Sequence, residues 1–347
     1  MAESNSVESN IEIAGAITYP TESQQNLENV EVPVQPKQPT SLHGLLRFAM
    51  DATKVEDAPH DSHMGPIDEN RKRFLEAALN SMTVDIIEIL QEKIRVLQNA
   101  EHLAPDTDIS DYVAALETIV DHIDNIDTAN DFHKIGGFTI FHPCLKCVHP
   151  EIRAGACDVI AELCQNNPYC QRVVLDNGFI PLLLKILATD NNNSVCIKAL
   201  YATSCIVRQN TEGFHQLLQH EGLTILLKIL QKEDDKLKIK TAFLLSSLCG
   251  SQPDLKSRLV FLEYIPVLLS LLSQERKPSH EHILSLLVML VEDNYGAINE
   301  CRNPKYNLKQ TLTDYLESIA NKVECQEEEA YCQQLLRILF TSSSNGL

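Results

Sequence analysis

The chain has no tryptophan, and aromatic residues make up only 5% of its 347 positions. Its core must therefore come from aliphatic side chains, and Leu, Ile, Val and Ala supply it. Basic residues are scarce too: 29 Lys and Arg stand against 48 Asp and Glu, a formal net charge of −19. Binding nucleic acid through general electrostatics needs the opposite balance, so that class is excluded. Solubility is favoured, and a partner with a basic face is compatible with this charge. Long hydrophobic runs are missing. The most apolar segment, Ile283 to Val291, is roughly half the length of a membrane span. The opening MAESNSVESNIEIAG puts acidic residues where a secretory signal needs basic ones. The eleven cysteines are odd in number and scattered, with Cys157, Cys164, Cys196, Cys205, Cys249 and Cys332 inside helical patterns. They read as small core residues kept reduced, not as a disulfide framework. A protein of the cytoplasm or nucleus, without a membrane span, is expected.

The motifs of catalysis are also missing. There is no P-loop, no GxGxxG, no GxSxG and no paired carboxylates placed for acid–base work. His142, Cys144, Cys147 and His149 spell HPCLKCVH, which on a loop could bind zinc. The run contains a single CxxC, no second Cys pair follows, and other repeats place core residues of the LLKIL type here. A structural role is the better reading. His280, Glu281 and His282 lack the zinc-protease spacing. On a helix the two His point about 200° apart. No enzyme, metal or cofactor is expected.

What the chain does have is a helix that recurs. At about 100° per residue, Val195 to Arg208 puts Cys196, Ala199, Leu200, Thr203, Ile206 and Val207 on one face. Lys198, Tyr201, Cys205 and Arg208 share the other. About 42 residues on, the stripe returns as Lys240, Phe243 and Ser247, and again as His282, Ser285 and Met289. One period back it falls on Asp158 and Glu162. The turns before these helices repeat as well: GGFTIF, NGFIPLLLKIL, EGLTILLKIL and LEYIPVLLSLL. Such a period, with two or three helices per unit, predicts an all-α, armadillo-like superhelical solenoid of four repeats with helical caps at both ends. Its stripe of Asp158, Glu162, Lys198, Tyr201, Cys205, Arg208, Lys240, Phe243, Ser247, His282, Ser285 and Met289 is the candidate partner-binding surface.

Residues 1–40 are polar, Pro-bearing and nearly free of cations, which predicts a disordered tail. Residues 41–66 read as a flexible segment holding a short amphipathic run, SLHGLLRFAMDATK, before a Pro- and Gly-bearing linker. Residues 67–129 give capping helices. ENRKRFLEAAL is the first, and the second carries Val84, Ile87, Leu90, Ile94 and Leu97. A third is YVAALETIVDHIDNI, capped by Ser110 and buried through Val113, Leu116, Val120 and Ile123. The repeats occupy 130–303, and two amphipathic helices in 304–341 close the far end.

KALYATSCIVR, DKLKIKTAFLLSSL, HEHILSLLVMLV, NECRNP and AYCQQLLRILF resemble, in the same order, the Hsp70-binding-protein-one family. NIDTANDF and LHGLLRFAM fit its N-terminal part. That family comprises the cytosolic armadillo-type nucleotide exchange factors of the 70-kDa heat-shock chaperones. The resemblance implies a non-enzymatic, monomeric protein that clamps the chaperone's nucleotide-binding domain and promotes ADP release. It also implies that an N-terminal segment helps displace client peptide; Leu45, Leu46, Arg47, Phe48 and Met50 are the candidate residues. Residues 1–40 and the HPCLKCVH helix match nothing in the family pattern. Two other classes stay open: a generic armadillo adaptor for an extended peptide, which would use the same stripe, and inhibition of a chaperone-associated ubiquitin ligase as a compatible secondary role. Adaptor grooves show repeated Trp and Asn, which the stripe lacks.

Overall fold

The computed structural model describes Arg73, residues 85–320 and residues 322–341. The client-displacing candidates Leu45, Leu46, Arg47, Phe48 and Met50 lie outside the described residues, as do Val84 and all of ENRKRFLEAAL except Arg73, which is helical. Two helices, α1 (Ile86–Leu97) and α2 (Ser110–His122), precede the repeats. Four units follow, each a short helix, a second helix and a long third one. They are α3 (Ile126–Lys134), α4 (Phe141–Leu145) and α5 (Pro150–Cys164); then α6 (Pro168–Asp176), α7 (Phe179–Thr189) and α8 (Asn193–Val207). The third unit holds α9 (Thr211–Gln219), α10 (Gly222–Leu230) and α11 (Asp235–Ser251). The fourth holds α12 (Leu255–Phe261), α13 (Tyr264–Leu272) and α14 (Ser279–Val291). The chain closes with α15 (Tyr295–Cys301), α16 (Leu308–Ile319) and α17 (Gln326–Phe340), which keep the same helix order.

The boundaries follow from local chemistry. Asn167, Asn210 and Asn294 sit before α6, α9 and α15, and each side chain accepts a backbone N–H of the first turn. Asn192 and Asp234 do the same for the long helices α8 and α11. Before each second helix the backbone turns left-handed, at Gly136, Gly178, Glu221 and Glu263 in successive repeats. Glycine takes that conformation freely, whereas the two glutamates hold it at some strain. The repeated GG, NG, EG and LE turns are the sequence trace of this one feature.

Ser110 is the first helical residue of α2, not its cap. Asp108 takes the capping role, its Oδ1 accepting Ser110 N–H at 3.0 Å and Ser110 Oγ–H at 2.6 Å. The buried face of α2 is Ala115, Leu116, Ile119 and Ile123, shifted from the expected Val113 and Val120, which remain half-buried. The shift arises because α2 packs against both α1 and α5 and so buries a wider stripe.

The long helices stack in sequence, α5 on α8, α8 on α11, α11 on α14 and α14 on α17, and one core runs from Leu90 to Leu339. In place of tryptophan its largest buried side chains are Tyr264, Phe132, Phe141 and Phe179. Tyr264 resolves its buried hydroxyl by donating to Leu223 O at 2.5 Å, across a repeat boundary. The eleven cysteines are free; ten are buried and Cys205 is half-buried. Burial pushes the Cys144, Cys249, Cys301 and Cys332 thiols up to about 12. They are packing residues, inert as nucleophiles.

Candidate functional site

The sides of α8, α11 and α14 meet the turn after α5 and the start of α6 at a groove of about 730 Å³. Its walls include Tyr201, Cys205 and Arg208 from α8 and its C-terminal end, Lys240 and Phe243 from α11, and His282 from α14. The sequence stripe thus converges here for six of its residues. Glu162 joins through a hydrogen bond, its Oε1 lying 3.2 Å from Tyr201 Oη. Lys198 and Asp158 pair with each other, Nζ donating to Oδ2 at 2.6 Å, and neither lines the groove. Ser247, Ser285 and Met289 do not line the groove: all three are half-buried, and Met289 packs on the core.

Aromatic rings and cations interleave across the seam between α8 and α11. Lys240 Nζ stands 5.2 Å from the centre of the Tyr201 ring, and Arg208 Cζ stands 5.2 Å from that of Phe243. Phe243 is 52% exposed, large for a phenyl ring on a long helix of the array. Tyr201 is fixed from the other side, its hydroxyl sharing one proton between Glu162 Oε1 and Gln165 Oε1, the latter at 2.9 Å. Burial, then the neighbouring Cys205 and Glu162, push the phenol well above its usual range. Burial likewise raises Cys205 to about 11. Both groups stay protonated at neutral pH, so the groove offers contact surface and hydrogen-bond donors but no activated nucleophile.

Sequence periodicity missed Gln165, Asn166, Pro168, Gln171, Ser204 and Gln209, which complete the walls together with Leu200 and Ile239. Most sit on the turns after the long helices or on α6, outside the stripe. A signal for them existed in the turns QNN, RQN and EDN, whose middle residues Asn166, Gln209 and Asp293 all take left-handed backbone. Gln171 is the tie among them. Its Nε2 donates to both Cys164 O and Cys205 O at 3.0 Å, joining the ends of α5 and α8, and its Oε1 accepts from Asn210 Nδ2 at 3.1 Å.

The HPCLKCVH side chains turn to separate partners. Cys144 Sγ is directed to Leu97 O at 3.8 Å, His149 Nε2 lies 2.9 Å from Ala104 O, and His142 stacks on Phe179 at 5.5 Å. Among the described residues no group of three or more His, Cys, Asp or Glu side chains is placed to hold a metal ion.

Comparison with known proteins agrees with this architecture. A designed armadillo repeat protein superposes with a TM-score of 0.56 at 17% identity, over 72% of this chain and 99% of the designed one, which establishes the fold. The family model described as the SIL1/FES1/HPBP1 C-terminal domain matches residues 128–259, and the model described as nucleotide exchange factor Fes1 matches residues 42–132. Hsp70-binding protein 1 of Mus musculus is 31% identical over 319 residues, 89% of this chain and 88% of the relative. The Hsp70 nucleotide exchange factor FES1 of Mycosarcoma maydis is 31% identical over 167 residues, 48% of this chain and 41% of that protein. With its repeats, its groove and a relative of this identity matched over nearly the whole length, the chain belongs to the SIL1/FES1/HPBP1 family.

Proposed function

We infer that this protein is a nucleotide exchange factor for a 70-kDa heat-shock chaperone, acting without catalysis of its own. Family membership supports the partner class, since the relatives are named as Hsp70-binding proteins and Hsp70 nucleotide exchange factors. The observation that carries the site is the groove between α8 and α11, where Tyr201 and Phe243 come together one repeat apart.

The surface engaged is the chaperone's nucleotide-binding domain, held by a single copy of this chain in the cytoplasm. Linkage sets the mechanism. If this protein weakens ADP binding to the chaperone by some factor, ADP weakens this protein's binding by the same factor. Only a groove that prefers the opened nucleotide-binding domain can drive opening, because a ligand shifts an equilibrium by its differential affinity alone. Aromatic anchors at the centre of an interface contribute about 2 kcal/mol or more each.

Tyr201→Ala combined with Phe243→Ala is therefore expected to slow stimulated ADP release at least tenfold. Phe243→Ala alone is the control for folding, because its ring is half in solvent and its loss leaves melting nearly unchanged. Wild-type exchange rates in folded variants would place the contact surface elsewhere. An adaptor for extended peptides would bind ADP-loaded and nucleotide-free chaperone equally, whereas an exchange factor prefers the nucleotide-free form.

A further inference from the structure

We propose that the part of the partner seated between α8 and α11 is acidic, with carboxylates placed over Arg208 and Lys240, even though this chain's own net charge of −19 favours a basic partner. The inference rests on the exchange-factor reading and adds the chemistry and orientation of the bound surface.

The charges at the groove are answered unevenly within the chain. On the α5 side Asp158 takes the Lys198 ammonium at 2.6 Å, while Glu162 meets the neutral Tyr201 hydroxyl at 3.2 Å. On the α8–α11 side the charges are cationic. Arg208 and Lys240 are both exposed, and neither forms an ion pair with any described residue. Each lies instead against a ring, Phe243 and Tyr201 respectively, at 5.2 Å. In a chain with 48 acidic residues a carboxylate would be easy to supply, yet no Asp or Glu is among the described residues that line the groove.

The rings explain how such cations remain useful to a partner. A ring face attracts the cation and limits its freedom, but it leaves the outward hydrogens of the ammonium and guanidinium uncommitted. A carboxylate arriving from the partner therefore meets donors that are already placed, and less side-chain entropy is lost on binding. His282 lies on the same wall and adds no negative charge. The groove is thus polar across its width, with the Glu162 carboxylate on the α5 side and two cations at the α8–α11 seam. That asymmetry fixes which edge of the partner faces which helix, since like-charged docking is penalised. Net charge governs solubility and long-range repulsion; this local reversal sign-selects the docked surface.

The test uses the full chain and an isolated nucleotide-binding domain of a 70-kDa chaperone, with affinity and association rate measured at low and at moderately high NaCl. Wild-type protein is expected to lose at least about tenfold in affinity with added salt, mostly through slower association. Arg208→Glu with Lys240→Glu is expected to bind at least about tenfold more weakly at low salt and to lose most of the salt dependence. Arg208→Gln with Lys240→Gln should fall between, and melting of all variants should match wild type because both side chains are exposed. Salt-independent wild-type binding, or a charge-reversed variant that binds as tightly as wild type, would overturn the acidic-partner inference while leaving the exchange-factor reading standing. Absence of wild-type binding at either salt concentration would sink both.

Discussion

His280 carries a burial cost that pH can reveal. The ring is 2% exposed and stacks nearly parallel on Tyr315 at 5.7 Å. Lys277 N–H donates to Nδ1 at 3.0 Å, which requires the neutral ring at that nitrogen, and Nε2 has no partner among the described residues. Burial pulls the imidazole below its ordinary 6.5, against the opposing pull of the Glu328 and Asp235 carboxylates. The sign of the effect follows. Above the ordinary value both folded and unfolded chains hold a neutral His280, and its contribution to stability is complete. As pH falls through 6.5 the unfolded chain takes up a proton that the folded chain resists, so stability drops toward the lower folded value. The urea midpoint should therefore decline from about pH 7 to about pH 5.5, before carboxylates begin to titrate. His280→Phe keeps a ring for the Tyr315 stack and should flatten that decline. An unchanged slope in the variant would show that another group is responsible.

At the level of elements, the last two helices are held by one buried carboxylate. Glu328 on α17 is 2% exposed, and Arg276, from the turn between α13 and α14, grips it with two bonds of 3.1 and 2.5 Å. The Tyr315 hydroxyl of α16 donates to the same group. Burial by itself would raise the Glu328 pKa, but the bonds from Arg276 and Tyr315 and the guanidinium charge outweigh it and keep the carboxylate ionised. Removing its charge by Glu328→Gln leaves Arg276 poorly answered. The expected loss is about 2–3 kcal/mol of unfolding free energy, less than for a fully enclosed pair because the Arg276 side chain is 33% exposed. Hydrogen exchange should accelerate in α16 and α17 and stay unchanged in α5 and α8. Glu329→Gln, on the exposed side of the same helix, should do neither. Uniform acceleration along the array would deny Glu328 a local role. The contrast between this latch and the groove shows what the sequence could reveal. Tyr201 and Phe243 were legible because they recur at the repeat period, and the amphipathic stripes of α16 and α17 were legible because apolar spacing encodes a helix face. The Arg276–Glu328 pair spans 52 residues and obeys no period, so no local pattern announces it. Gln171 was hidden for a related reason: its role depends on the ends of two other helices meeting beside it.

For the whole molecule, the question is whether the array needs what precedes it. The described array closes its own first end with α1 and α2. Leu90, Ile94 and Leu97 of α1 are buried, α1 packs on α2 and α3, and Cys144 Sγ reaches Leu97 O. Solenoid stability is approximately a sum of unit and neighbour terms, so sequence remote from a closed end contributes little to the array. The client-displacing role proposed for Leu45, Leu46, Arg47, Phe48 and Met50 can therefore be tested by removing the run. It is an apolar stretch with a cation inside it, chemistry that suits an extended-peptide groove, and the Fes1 family match begins at residue 42. Deleting residues 1–60 should leave melting and stimulated ADP release nearly as in the intact chain, while slowing the release of a bound client peptide from the chaperone. The competing possibility is that Leu42, Leu45, Leu46 and Ala49 form a helix stripe docked permanently on the array. In that case the deletion strips a buried face, stability falls by several kcal/mol and exchange is lost with it. Measuring melting, ADP release and client release on one truncated protein separates the two, because only a client-mimicking segment moves the third without the first two.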